Sequence, residues 1–209
     1  MQQRMRQDLW VVIALAIGLP GPGTAEVVLD GSLGTGGALA GPDYAITQNL
    51  GSTVGQNLFH SFTSFNISNT ESATFSGDPG INNVISRVTG GGSSDINGML
   101  RSTIPGANFY FINPAGVVFG PDASIDVNGS FYAGTADYVA LEGGGRFDAI
   151  DPDASTLTVA SPSAFGFSTG APAGIQVNGP FLRAAQSRTL SLTGGDIDIV
   201  DGNLYAPDG

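Results

Sequence analysis

Cysteine and lysine are both absent from the 209 residues, and histidine occurs once, at His60. Without cysteine no disulfide can staple the chain and no thiolate can ligate a metal. A single histidine likewise removes any multi-histidine zinc site. The seven basic residues are all arginine, set against 15 Asp and three Glu, for a net charge of −11. Binding a phosphate backbone needs clustered Lys and Arg to displace counterions. No such cluster exists here, so nucleic acid is not an expected partner. The negative charge fits a solvated surface that keeps an extended β protein soluble by self-repulsion. Long apolar runs are scarce too. The main one covers residues 9–17, prolonged by Gly18 and Leu19, well short of the ~20 residues of a membrane-spanning helix.

Glycine, by contrast, is abundant, with 32 residues beside 12 prolines. Its share is about twice the usual ~7%, and the lack of a three-residue period excludes a collagen. Each interior glycine costs a helix about 1 kcal/mol against alanine, which argues against a helical bundle. The 12 Phe and a 41% hydrophobic content are enough for a core, and the length fits one domain. An all-β, turn-rich chain is expected.

The N-terminus has its own pattern. Arg4 and Arg6 precede the apolar run, which a Pro20-Gly-Pro-Gly23 breaker ends before Thr24 and Ala25. This is the layout of a secretory signal peptide, with Gly23 and Ala25 at the −3 and −1 positions. Residues 1–25 are therefore expected to be removed near Ala25, leaving one domain, 26–209. Export through the Sec machinery is the consequence.

After Glu26, short β-rich runs alternate with Gly, Asn, Asp and Pro. Examples are Asn108-Phe-Tyr-Phe-Ile-Asn113, Gly116-Val-Val-Phe119, Ser124-Ile-Asp-Val127, Thr156-Leu-Thr-Val159 and Thr189-Leu-Ser-Leu192. Strands this short and frequent fit a sandwich, a barrel or a β-solenoid. An echo helps to choose. Ser124-Ile-Asp-Val-Asn-Gly-Ser-Phe131 recurs as Gly174-Ile-Gln-Val-Asn-Gly-Pro-Phe181, and Asn113-Pro-Ala-Gly-Val-Val-Phe119 loosely as Ser161-Pro-Ser-Ala-Phe-Gly-Phe167. Repeated supersecondary units point to stacked coils, each burying its apolar face on its neighbours. At ~20–25 residues per coil, about seven to nine coils are expected. The excess glycine then reads as corner chemistry, as at Gly116, Gly129, Gly179 and Gly202. The strand-like runs from Ile197 onward carry no polar cap, so the solenoid is expected to continue in a longer protein or to meet a partner there.

Asn57-Leu-Phe-His-Ser-Phe62, Phe65-Asn66-Ile67, Ile81-Asn-Asn-Val-Ile-Ser-Arg-Val-Thr-Gly90, Ile96-Asn-Gly-Met-Leu100 and Ala107-Asn-Phe-Tyr-Phe-Ile-Asn-Pro-Ala-Gly-Val-Val-Phe-Gly120 occur in that order. This ordered set resembles the N-terminal secretion domain of two-partner-secretion exoproteins, the filamentous-haemagglutinin N-terminal or haemagglutination activity domain. The later Arg188-Thr-Leu-Ser-Leu-Thr-Gly-Gly-Asp-Ile-Asp-Ile199 and Gly202-Asn-Leu-Tyr-Ala-Pro207 are similar to the continuation of the chain in long members. The family's Asn-Pro-Asn-Gly motif corresponds to Asn113-Pro114-Ala115-Gly116, with Ala in its third position. A second motif of some branches, Asn-Pro-Asn-Leu, is absent. The resemblance implies a right-handed parallel β-helix with an N-terminal cap and extra-helical hairpins. It also implies recognition by periplasmic POTRA domains of an outer-membrane β-barrel transporter. The product would be secreted, or held on the cell surface of a Gram-negative-type bacterium, as an adhesin-like protein whose activity lies beyond this domain. Host or matrix glycans or proteins are further partners it allows.

Single features are read against that background. Asn113, Pro114, Ala115 and Gly116 form a turn, since Pro sets φ near −65° and Gly accepts positive φ. The turn serves as a coil corner, as a contact for the transporter, or as both. Asn66, Asn82, Asn83, Asn97, Asn108, Asn128 and Asn178 are turn or ladder residues, of which Asn66 and Asn82 join the recognition set. His60, between aromatics, reads as a packed or surface residue, because no nucleophile motif accompanies it. Asp196, Asp198 and Asp201 would suit Ca²⁺, yet they equally suit a solvated strand face. Phe109, Phe111, Phe119, Phe131, Phe165, Phe167 and Phe181 are expected in the core, and Tyr110 on the opposite side of its strand. No cofactor, metal or catalytic residue is assigned. A secreted polysaccharide-active β-helix enzyme and a directly glycan-binding module stand as the alternatives.

Overall fold

The computed structural model describes residues 26–168 and 170–208; the expected signal segment lies outside them. The chain is an all-β solenoid of about six turns built from three parallel faces. The first face stacks Asn57–Phe65, Asn83–Val88, Asn108–Ile112, Phe131–Gly134 and Leu190–Thr193 in parallel. The second stacks Ser94–Ile96, Val117–Phe119, Ile175–Asn178 and Ile197–Val200, headed by a one-residue bridge from Ile67 to Ile96. The third stacks Asp43–Thr47, Ser72–Ser76, Met99–Ser102 and Ser124–Val127, followed by the pair Phe181–Arg183 and Asn203–Tyr205.

Period-two alternation decides what each strand buries. On the first face Leu58, Phe62, Val84, Val88, Phe109, Phe111 and Phe131 point into the solenoid and are buried. With Phe65 and, from the third face, Phe75, their rings form a continuous column: Phe65 to Phe75 at 6.2 Å, Phe75 to Phe109 at 4.7 Å and Phe109 to Phe131 at 5.9 Å between centroids. Edge-to-face and offset pairs of this kind add ~0.5–1.5 kcal/mol each beyond area burial.

Two additions complete the architecture. Val27–Asp30, Gly36–Ala38 and Ser52–Val54 join the first face in antiparallel register at its N-terminal edge, with Val27–Asp30 and Ser52–Val54 both pairing with Asn57–Phe65. This is a cap, and it satisfies an edge that would otherwise offer unpaired N–H and C=O groups. The second addition is an excursion between Gly134 and Ile175. It forms a three-stranded antiparallel sheet of Tyr138–Leu141, Arg146–Asp148 and Pro162–Gly166. This sheet lies on the outside of the first face, where Val139, Leu141 and Phe147 pack against Phe59, Ile85 and Ile112 in a second buried cluster.

The coil count is lower than the seven to nine expected, because cap and excursion consume chain outside the stack. Successive rungs tied by side chains are 26, 25 and 22 residues apart, and the rung spanning the excursion is 59. The echo also resolves differently. Ser124–Val127 belongs to the third face and Ile175–Asn178 to the second, so the shared segment is a strand with an Asn-Gly corner used at two different corners. Its upstream half has no common structure, since Pro162–Gly166 is an antiparallel strand of the excursion. Thr156 makes only an isolated bridge to Arg146, not the expected strand. Phe167 and Phe181, expected in the core, are 38% and 57% exposed: the first comes just after the excursion's edge strand, the second points outward from the third face. Phe165 is half-buried against the second cluster.

Candidate functional site

Asn113-Pro114-Ala115-Gly116 is the corner between the first and second faces. The Asn113 side chain is 1% exposed. Its Nδ2 donates to the Gly92 carbonyl and to Ser94 Oγ, both at 2.9 Å, in the coil below. Its Oδ1 accepts the Ala115 N–H at 2.9 Å, and its own N–H donates to the Gly134 carbonyl in the coil above. One asparagine thus ties three successive coils at a corner. The turn closes with the Gly116 N–H on the Asn113 carbonyl, and Gly116 sits at φ +121°, where an L side chain is strained. The excursion leaves the next coil at this same corner, and the Val117 N–H meets the Gly174 carbonyl at its root. Pro114 and Ala115 are half-buried, beside a surface cleft of about 220 Å³ lined also by Thr89 and the 54%-exposed Ile150. The expected turn is present, and its most polar side chain is spent inside the fold.

Asn66 and Asn82 stand elsewhere. Asn66 Oδ1 accepts the Asp95 N–H at 2.8 Å, and Asn97 repeats the device one coil later on the Asp122 N–H at 2.9 Å. Asn82 Nδ2 donates to Gln56 Oε1 at 2.9 Å and is exposed. The corner and these two residues do not converge on one pocket. Asn66 lines a polar depression of about 480 Å³ with Asn69, Asp95 and Asn97.

A true ladder does form, on the outer side of the first face. Asn83 Nδ2 donates to Asn57 Oδ1 at 2.8 Å, Asn108 Nδ2 to Asn83 Oδ1 at 3.4 Å, and Asn108 Oδ1 accepts the Ser130 N–H at 3.0 Å. Asn57 heads it and reaches the excursion by donating to the Thr158 and Ala160 carbonyls. The sequence offered Asn83 and Asn108 only as turn or ladder residues among seven asparagines and missed Asn57, although the parallel positions Asn57, Asn83 and Asn108 are the signal.

Arg87 was missed as well. It is 1% exposed on the same outer side, beneath the excursion. Its Nε donates to Ser61 Oγ at 2.6 Å, its Nη1 to the Asp148 carbonyl and to Ser155 Oγ, and its Nη2 to Ser32 Oγ at 2.9 Å. Its guanidinium lies 4.2 Å from the Phe147 ring centroid. Burial lowers its pKa to about 10 against the opposing pull of Asp30, Asp148 and Asp153, so it stays charged. Asp30 accepts from Ser61, Ser32 and Thr89. Burial works to raise its pKa, and those hydrogen bonds together overcome it and lower it. Coil, cap and excursion meet at this one arginine.

Of the two readings open to His60, packed or at the surface, the structure shows the first. It is wholly buried, with Nε2 facing the Thr47 carbonyl at 3.2 Å and Phe75 edge-on at 5.3 Å. Nδ1 has no partner, and burial lowers the pKa to about 4 despite the Thr47 bond. Asp196, Asp198 and Asp201 are exposed at the last rung. Among the described residues no group of three or more His, Asp or Glu is arranged to hold a metal ion, and no helix is long and apolar enough to cross a membrane.

Comparison with known proteins decides the family. The model of the TPS secretion domain matches residues 25–209. The chain belongs to the TPS secretion domain family. No curated protein matches it. As a TPS domain it belongs to a TpsA-type exoprotein, secreted by a two-partner system with a TpsB transporter. The cap, the parallel coils and the extra-helical sheet seen in this TPS domain are what the sequence resemblance implied.

Proposed function

We propose that the POTRA domains of the cognate outer-membrane transporter recognise this domain and that it initiates secretion and β-helix folding of an adhesin-like passenger. The match over residues 25–209 carries this reading. In it, a signal peptide cut near Ala25 delivers the chain through the Sec machinery to the periplasm, where it stays unfolded until it docks. The absence of cysteine suits that route, because no periplasmic disulfide can lock the chain before a narrow pore. Parallel pairing across 22–26 residues folds slowly, which leaves time for capture. Extended segments add strands to a POTRA sheet edge through backbone hydrogen bonds.

The corner motif fits the same scheme. Asn113 has its amide engaged by Gly92, Ser94 and Ala115 once the coil closes. A transporter that reads Asn113 reads it in the extended chain, while Pro114 and Ala115 stay partly accessible afterwards. Asn66 and Asn82, outside the corner, act as further recognition points of the extended chain. Capture of the urea-unfolded mature chain by immobilised POTRA domains tests the proposal. Binding that weakens for Asn113→Ala is expected. No binding of the unfolded chain, or binding of the folded domain alone, would overturn it.

A further inference from the structure

The outward side chains of the first face stack in columns fixed by strand register. One column runs Phe59, Ile85, Tyr110, Tyr132 and then Ser191. Four large apolar or aromatic rungs are thus followed by a small one. Tyr110 and Tyr132 are stacked, with centroids 4.6 Å apart and planes 6° from parallel. Tyr132 has Tyr110 on one face. On its other face the next rung supplies only the hydroxymethyl of Ser191.

A slot of about 290 Å³ occupies that position. Its lining is Tyr110, Tyr132 and Ser191 on the solenoid side and Pro162, Ser163, Ala164 and Phe165 on the excursion side. Phe165 stands edge-on to Tyr110 at 6.5 Å on the excursion side. This volume lies at the small end of ligand pockets and suits one six-membered ring rather than an extended ligand.

We propose that this slot binds a neutral pyranose ring stacked by its apolar face on Tyr132. The electron-rich ring face of a tyrosine attracts the polarised C–H groups of a sugar. Ser191 on the solenoid wall offers a hydroxyl able to donate and accept, and Ser163 Oγ on the excursion wall, which donates to the Ala140 carbonyl at 3.3 Å, keeps its acceptor lone pairs. No cation lines the slot, and the protein carries −11 overall, which disfavours uronic and sulfated sugars. The site is independent of transporter recognition, because it exists only after the excursion has folded onto the first face.

Saturation-transfer-difference NMR on the folded chain tests it, with methyl β-galactopyranoside and methyl α-glucopyranoside as neutral probes, galacturonate as the anionic one and p-cresol as the aromatic one. Saturation transfer to the apolar-face protons of at least one neutral glycoside is expected, with none to galacturonate. Ser191→Tyr places the missing rung in the slot. It should cut the signal at least ~10-fold while the melting temperature holds or rises, and Tyr132→Ala should cut it as far. Silence from both neutral glycosides overturns the proposal, as does a signal that survives Ser191→Tyr. Binding of p-cresol alone assigns the slot to an aromatic side chain of a protein partner and overturns it too.

Discussion

The two ends of the solenoid are built from similar strands and buried very differently. In the N-terminal coils Asn57–Phe65, apart from Thr63 and Ser64, and Asn83–Val88 are enclosed on both sides, inward by the phenylalanine column and outward by the excursion. In the last coil every residue of Ile197–Val200 and Asn203–Tyr205 is exposed, with Ile199 at 47% and Val200 at 57%. Backbone register is equally regular at both ends. Sheet pairing alone therefore does not set local stability here. What differs is what covers the strands. The first face carries a second layer, whereas Ile197 and Ile199, in register with the buried Ile175 and Val177, have no rung stacked on them among the described residues. Apolar burial is worth roughly 25 cal/mol per Å² only where something covers the surface. The doubly covered N-terminal coils are expected to keep their backbone hydrogen bonds protected longest.

The largest test of this contrast is Arg87→Ala. It removes the side chain that ties coil, cap and excursion together, and leaves Asp30 with less compensation. Losing one partner of a buried charged network costs ~3–5 kcal/mol. Urea denaturation should show that loss, and hydrogen exchange should show the cap and excursion deprotected before the coils. Full protection of both in Arg87→Ala would break the comparison.

Next in size is a pH effect confined to the N-terminal half. His60 is held neutral in the folded chain with a pKa near 4, against about 6.5 when unfolded. Between those values the unfolded state binds the extra proton. The contribution is therefore whole above pH ~6.5 and is lost as pH falls toward 4, by about 3 kcal/mol. Stability measured across that window should fall with acid, and His60→Gln should flatten the slope. An unchanged slope in His60→Gln would place the acid sensitivity elsewhere.

A smaller effect comes from the ladder. Asn83→Ala leaves Asn57 Oδ1 and Asn108 Nδ2 short of a partner between coil and excursion, at a cost of ~1–3 kcal/mol. Thermal unfolding should register this as a lowered Tm, and Asn83→Asp, which keeps an acceptor but loses the donor, should not restore it. The smallest change is predicted at the far end. Ile199→Ala should shift stability by no more than ~0.5 kcal/mol, since Ile199 is already half open to solvent. A loss comparable to a core truncation there would mean that the last coil is as tightly held as the first.

Much of the fold was legible because it rests on local chemistry. The Asn113 to Gly116 corner could be read from Pro and Gly alone, and the inward set Phe109, Phe111 and Phe131 from alternation. The family was legible because its motifs occur in order over most of the chain. Other features were not. The echo between residues 124–131 and 174–181 pointed to stacked coils, yet its two copies occupy different faces, because a strand with an Asn-Gly corner fits any corner of a solenoid. Phe181 looked like a core residue beside Phe131, and only its position on the outer side of the third face exposes it. Arg87 carried no signal of its own in the sequence. Its partners Ser32, Asp148 and Ser155 are 55, 61 and 68 residues away, beyond any local pattern.

The sequence by itself determined the strands, the corners and the parallel stacking, since these arise from alternation, from glycine's freedom of φ and from apolar faces that need neighbours. Tertiary structure alone decided which faces were covered twice. The excursion between Gly134 and Ile175 folds back over the first face, and that return buries Arg87, seals the asparagine ladder and leaves a slot beside Tyr132. Its reason is geometric: an outward side chain becomes interior only when a distant segment lands on it, and nothing in its own neighbourhood says so.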